Sequence, residues 1–139
     1  MDKSRVCQSI DEILAAARAL LDRVAPCDLE RERLDGAVIV DIRPVEQRTR
    51  DGALPGSVVI DRNVLEWRLD PACDHHISDI TGYGTRIVIV CNEGFSSSLA
   101  AATLHGVGLT RATDLIGGYQ AWLEHHAARS THELTPNES

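Results

Sequence analysis

The run Arg86-Ile87-Val88-Ile89-Val90 constrains this chain more than any other segment. Consecutive β-branched residues over so short a stretch predict a strand buried on both faces, the habit of parallel sheets. Ala37-Val38-Ile39-Val40, flanked by Gly36 and Asp41, reads the same way. Ser57-Val58-Val59-Ile60 and the segment from Ala112 to Ile116 read as further strands. Helical signals separate them. Asn63 is a candidate cap for a short helix through Arg68. Ser96 to His105 offers Leu99, Ala102 and Leu104 for packing and is closed by Gly106 and Gly108. Gly118 opens a helix through about Ala128. Gly52 to Gly56 is a turn-rich connector, and Asp70 to Gly84 reads as loop with room for one helical turn.

Upstream, Ile10, Ile13, Leu14, Ala17, Leu21 and Val24 recur at helical spacing. They predict an amphipathic helix over about 8–24, capped by Ser9 and ended by Pro26. The alternation predicts an α/β fold: an open, mainly parallel central sheet of about five strands, helices on both faces, and an additional N-terminal helix. The expected organisation is a helical extension over 1–35 packed on the domain, a domain over 36–128, and a polar, disordered tail over 129–139. A chain of 139 residues fits one such domain.

Charge narrows the function. Lys and Arg number 14 against 21 Asp and Glu, for a net charge of -7. That argues against nucleic acid as a general partner, and no apolar run reaches the length of a membrane span. The charged start, Met1 to Arg5, lacks a secretory apolar core, so a cytoplasmic protein is expected. The cysteines, Cys7, Cys27, Cys73 and Cys91, form no CxxC pair and no zinc spacing. In a reducing compartment they are free thiols. The pairs His75-His76 and His125-His126 lack a completed ligand set, and adjacent helical residues do not face each other. Neither metal nor cofactor is predicted.

Cys91 carries the chemistry. It follows the best strand, and Asn92-Glu93-Gly94-Phe95 then leads into a helix opening at Ser96-Ser97-Ser98. In open parallel sheets, sites lie beyond the carboxyl ends of the strands. A helix N-terminus offers unpaired N–H groups that favour an anion, and a cysteine there loses its proton more easily. Position alone leaves two readings of Cys91, a buried structural thiol and a reactive one. Cys73 has two as well, a plain loop cysteine or a resolving thiol for Cys91.

Four segments resemble the rhodanese family, over about Gly36 to Ala128. Val40-Asp41-Ile42-Arg43 is similar to its D-x-R strand signature. Gly52-Ala53-Leu54-Pro55-Gly56-Ser57 is similar to its G-H-I-P-G-A turn, and Gly117-Gly118-Tyr119-Gln120-Ala121-Trp122 to its terminal G-G-x-x-x-W. Cys91-Asn92-Glu93-Gly94-Phe95-Ser96-Ser97 occupies the active loop, usually C-R-x-G-x-R-S or C-x-x-G-x-T. The resemblance implies a sulfurtransferase that takes sulfane sulfur from a small donor, thiosulfate or 3-mercaptopyruvate, onto Cys91 as a persulfide. It then passes the sulfur to a thiol or cyanide acceptor, a protein thiol included. By position, Cys91 is the nucleophile, and Asn92, Glu93, Gly94, Phe95, Ser96 and Ser97 bind substrate; Asp41 and Arg43 are structural or rim residues.

The loop departs from the pattern: Asn92 and Ser96 stand where the family often has Arg, and Glu93 adds a negative charge. Each lost charge-assisted hydrogen bond is worth roughly 1.5–3 kcal/mol, which argues against thiosulfate as the preferred donor. The competing reading is a catalytically weak, rhodanese-like binding or thiol-sensing module. Cysteine phosphatases share the loop placement, but phosphoryl transfer needs an Arg on the phosphate, and none lies between Cys91 and Arg111.

Overall fold

The structure is a computed structural model, and residues 7–134 of it are described. Four strands form one sheet: β1 (Val38–Asp41), β2 (Ser57–Val59), β3 (Ile87–Val90) and β4 (Ala112–Asp114), in the order β2-β1-β3-β4. Every pairing is parallel. All of β3 is at 0% exposure, as its unbroken apolar run requires. Successive side chains point to opposite faces, so β3 feeds two cores. Ile87 and Ile89 join Val40, Leu65, Leu69, Ala100, Ala101 and Leu104 on one face. Val88 and Val90 join Ile39, Leu29, Leu54, Leu115 and Tyr119 on the other.

The helices covering these faces are α1 (Ile10–Ala19), α2 (Leu29–Leu34), α3 (Val45–Asp51), α4 (Leu65–Leu69), α5 (Ser96–Val107) and α6 (Gly118–Leu134). The first face takes residues of α4 and α5, and α1 packs on α5. The second takes residues of α2 and α6. Ser9 caps α1, as the sequence predicts, and Glu12 completes the cap as a reciprocal pair.

Several expectations need correction. Helix α1 stops at Ala19 and not at Val24. Val24 instead makes a parallel bridge beside β4, its N–H donating to the Asp114 carbonyl and its own carbonyl accepting from Ile116 N–H. The described sheet has four strands where about five were expected, and this single-residue bridge adds a short edge beside β4. Ile10 and Ile13 of the expected apolar stripe are exposed, while Ala17 is buried. The cap of the short helix near residue 63 is Asp61, whose carboxylate accepts from Asn63 N–H. Asp70 to Gly84 contains no helical turn, and α3 arises in a polar stretch with no buried residue. Helix α6 runs past Ala128 to Leu134, so 129–134 is helix and not tail. The remainder of the expected tail, 135–139, and the charged start, Met1 to Arg5, lie outside the described residues. Among the described residues, no helix is long and apolar enough to cross a membrane.

The D-x-R signature has a structural explanation. The Asp41 and Arg43 side chains are both at 0% exposure and meet at 2.8 Å. Asp41 also accepts from Arg43 N–H, and Arg43 Nη2 donates to the Gly52 carbonyl at 2.9 Å. The guanidinium lies 3.6 Å from the Tyr119 ring centroid. One buried pair thus ties the end of β1 to the turn before β2 and to the start of α6. Removing one member of a buried pair leaves the other charge uncompensated, at a cost of about 3–5 kcal/mol. Arg43→Ala should lose about that much stability in urea unfolding; a loss near zero would mean that the pair anchors nothing.

Candidate active site

The strand order reverses between β1 and β3, and Cys91 sits just beyond the carboxyl end of β3, at that switch point. Cys91 is 6% exposed. Its Sγ accepts hydrogen bonds from Gly94 N–H at 3.1 Å and Ser97 N–H at 3.4 Å. Burial alone pushes the thiol pKa up. Hydrogen bonds from the Ser97 and Ser96 side chains and from the Ser97 and Gly94 amides outweigh it, and the net shift is downward. The Ser97 hydroxyl also lies 2.7 Å from Asp114 Oδ2. Its single proton serves that carboxylate here, so the Ser96 hydroxyl and the two amides carry the sulfur contact.

Those amides face the sulfur because the loop's carbonyls are held elsewhere. The Cys91 and Asn92 carbonyls accept from Tyr119 and Gln120 N–H in the first turn of α6, at 2.8 and 3.1 Å. The Gly94 carbonyl accepts from Arg18 Nη2 at 2.8 Å and Arg23 Nη2 at 3.1 Å. Backbone packs on backbone here. A Cβ on Gly118 would lie 2.5 Å from the Cys91 carbonyl oxygen, and one on Gly94 would lie 2.7 Å from Gly117 N. Both glycines also have positive φ, +64° and +88°. The G-G pair before Tyr119 is therefore the seat of the Cys91 loop.

Asp114, at the end of β4, is fully buried. It takes the Arg23 fork at 2.8 and 3.2 Å and the hydroxyls of Ser97 and Ser98, each at 2.7 Å. This cluster fixes the start of α5 against β4.

Of the residues expected at the site, Asn92, Glu93, Phe95 and Ser96 line a cavity of about 250 Å³ with Cys91, Arg43, Pro44 and Gln47. Gly94 and Ser97 are buried and meet the sulfur through their amides. Asn92 Oδ1 accepts from Gln120 Nε2 at 3.0 Å. Cys73 is not in this group; it lies against Glu66, Trp67 and Asp70. A larger cavity of about 720 Å³ includes Gly36, Arg86 and Arg111, at the opposite ends of the strands, and contains no thiol. Among the described residues, no group of His, Cys, Asp and Glu is arranged to hold a metal ion.

Residues 26–125 match the family model of the rhodanese-like domain. The chain belongs to the rhodanese-like family. It is 31% identical over 100 residues to the thiosulfate sulfurtransferase GlpE of Ectopseudomonas mendocina, covering 72% of this chain and 83% of that protein. It is 33% identical over 85 residues to the maize adenylyltransferase and sulfurtransferase MOCS3-1; that match covers 61% of this chain but only 18% of the longer maize protein. Among solved structures, a Rhodopseudomonas palustris CGA009 protein of unknown function, described as a possible tyrosine phosphatase, superposes with a TM-score of 0.77. It is 30% identical and covers 86% of this chain and 92% of its own. The human single-domain sulfurtransferase TSTD1 superposes with a TM-score of 0.61 at 25% identity, over 73% of this chain and 95% of that one.

The contacts around the Cys91 loop include residues that sequence reasoning missed: Arg18, Arg23, Ser98, Asp114 and Gln120. All but Ser98 are distant from Cys91 along the chain. The one available signal was a loop without arginines beside an N-terminal helix that carries them. The backbone contacts yield a direct test. Gly118→Ala should displace the Cys91 loop and slow alkylation of Cys91 in the folded protein by roughly tenfold or more, since the thiolate is the reacting form. An unchanged rate would show that the α6 seat does not control the thiol.

Proposed function

We propose that this chain is a sulfurtransferase that carries sulfane sulfur on Cys91. The observation that carries the reading is the Cys91 sulfur at the end of β3, receiving two loop amides. Amide donors fixed on a sulfur suit a thiolate before transfer and a persulfide after it. The Cys91 thiolate attacks the outer sulfur of the donor. With thiosulfate, the S–S bond of the donor breaks, sulfite leaves with the electron pair, and Cys91 becomes a persulfide anion. A thiolate or cyanide acceptor then attacks the terminal sulfur, and Cys91 leaves as thiolate. Charge balances in both steps, and no outside oxidant or reductant is needed. The family match and the similarity to the GlpE thiosulfate sulfurtransferases support this reaction class. A free thiol of this kind suits a reducing compartment, the cytoplasm.

The donor is less well served. Arg43 is the one Lys or Arg among the residues lining the Cys91 cavity; its Nε and Nη2 are taken by Asp41 and Gly52 and its face by the Tyr119 ring, which leaves only the buried Nη1 without a hydrogen-bond partner among the described residues. Glu93, on the same rim, repels a dianion. Thiosulfate therefore binds weakly in this reading. The small, partly apolar cavity accommodates 3-mercaptopyruvate or a persulfide of a small thiol more readily.

Intact-protein mass spectrometry after incubation with thiosulfate, and separately with 3-mercaptopyruvate, tests the proposal. A gain of one sulfur atom, reversed by reductant and absent in Cys91→Ser, is expected. Loading that survives Cys91→Ser would remove Cys91 from its role. No loading from either donor, with Cys91 still alkylatable, would favour a thiol-sensing or binding module. Asn92→Arg should lower the thiosulfate KM by about tenfold or more, the equivalent of one charge-assisted hydrogen bond. No change would mean that the donor's charge is held elsewhere.

A further inference from the structure

The N-terminal segment brings cations to the Cys91 loop from outside the family's own span. Arg18, in the last turn of α1, donates from Nη2 to the Gly94 carbonyl at 2.8 Å and from Nε to Ser98 Oγ at 3.1 Å. Its guanidinium lies 5.5 Å from the Phe95 ring centroid. Arg23 donates to the same carbonyl at 3.1 Å and forks onto Asp114. Both precede residue 26, where the family match begins.

Their shared acceptor is the position that most needs fixing. Gly94 has no side chain and φ of +88°, and besides the two arginines its carbonyl accepts, among the described residues, only a longer bond from the Ser98 hydroxyl, at 3.4 Å. The C=O and N–H of a trans peptide point in opposite directions. A Gly94 carbonyl held on guanidiniums turns the Phe95 N–H away from them and keeps the neighbouring Gly94 N–H on the sulfur. We infer that Arg18 and Arg23 are positioning residues of the Cys91 site, locking the loop through the Gly94 carbonyl in the conformation whose amides face the sulfur. In the family pattern a loop arginine stands beside the donor. Here the arginines stand behind the loop, where they hold the cradle and leave the donor's charge ungripped. The N-terminal helix is then part of the active site. The inference deepens the sulfur-carrier reading, and its meaning for turnover rests on that reading.

The charged and titratable groups around Cys91 are Arg43 from the end of β1, Glu93 in the loop, Asp114 from β4, Tyr119 from α6, and the two arginines. Only the arginines are changed in the test. The pH dependence of Cys91 alkylation by iodoacetamide is measured in a background with Cys7, Cys27 and Cys73 replaced by Ser, with folding followed by circular dichroism. Arg18→Gln should slow alkylation near neutral pH by about tenfold, with the rates converging at high pH where both thiols are ionised. Convergence separates lost ionisation from lost access. Arg18→Lys should recover most of the loss, because an ammonium still donates to the carbonyl. Arg23→Lys, which keeps charge beside Asp114 but loses the fork, should fall between. With thiosulfate as probe, Arg18→Gln should lower kcat and leave KM unchanged, since the arginine acts through the thiol and not on the donor.

Folded Arg18→Gln and Arg23→Lys variants with the wild-type profile would overturn the inference. Should Arg18→Gln fail to fold, Arg23→Lys decides by the same criterion. A wild-type chain that never loads sulfur, but whose alkylation profile shifts in the variants, would keep the positioning role and remove the carrier reading.

Discussion

A sulfur anion persists in a nearly closed pocket only where the dipoles around it are fixed before it forms. In this chain the fixing is done from the carbonyl side of the loop. The carbonyls of Cys91 and Asn92 are held by the first turn of α6, and that of Gly94 by Arg18 and Arg23. With the carbonyls engaged, the amides of Gly94 and Ser97 are left to the sulfur. The fold serves this arrangement. The fully buried β3 delivers Cys91 to the switch point, β4 delivers Asp114 beneath the start of α5, and the glycines at 117 and 118 let α6 approach backbone to backbone.

Electrostatics explains why cations stand beside the Cys91 loop. Asp114 is a fully buried carboxylate hydrogen-bonded to Ser97, the residue whose amide touches Cys91. An unpaired charge there would oppose a second anion on the sulfur. The Arg23 fork and the hydroxyls of Ser97 and Ser98 compensate it. Asp41 and Arg43 form a separate buried pair, which stabilises the loop after β1 and leaves Arg43 Nη1 alone without a hydrogen-bond partner among the described residues.

Much of this was legible in the sequence where local chemistry decides structure. The apolar runs of β1 and β3 could hardly be anything else, and the Ser9 and Glu12 capping box marks a helix start wherever it packs. Cys91 was legible because its place after the best strand and before a Ser-rich helix start is a matter of order along the chain. What could not be read was set by contacts distant in sequence. Helix α3 buries none of its residues, so it has no apolar period to find. Val24 continues the helical spacing of α1 but is drawn into a bridge with Leu115. Arg18 and Arg23 look like solvated helix charges until the fold brings them to a carbonyl at residue 94. The same distance hides the role of Asp114.

The most direct test of the account is the ionisation of Cys91, followed by thiolate ultraviolet absorbance as the difference between wild type and Cys91→Ser across pH. The Ser97 and Ser96 hydroxyls and the loop amides together hold the thiol below its ordinary range, so the difference signal should titrate with a midpoint under the value of about 8.5 for a free cysteine. A midpoint at or above that value would mean that burial outweighs the amides, and that the loop is not a cradle for a sulfur anion.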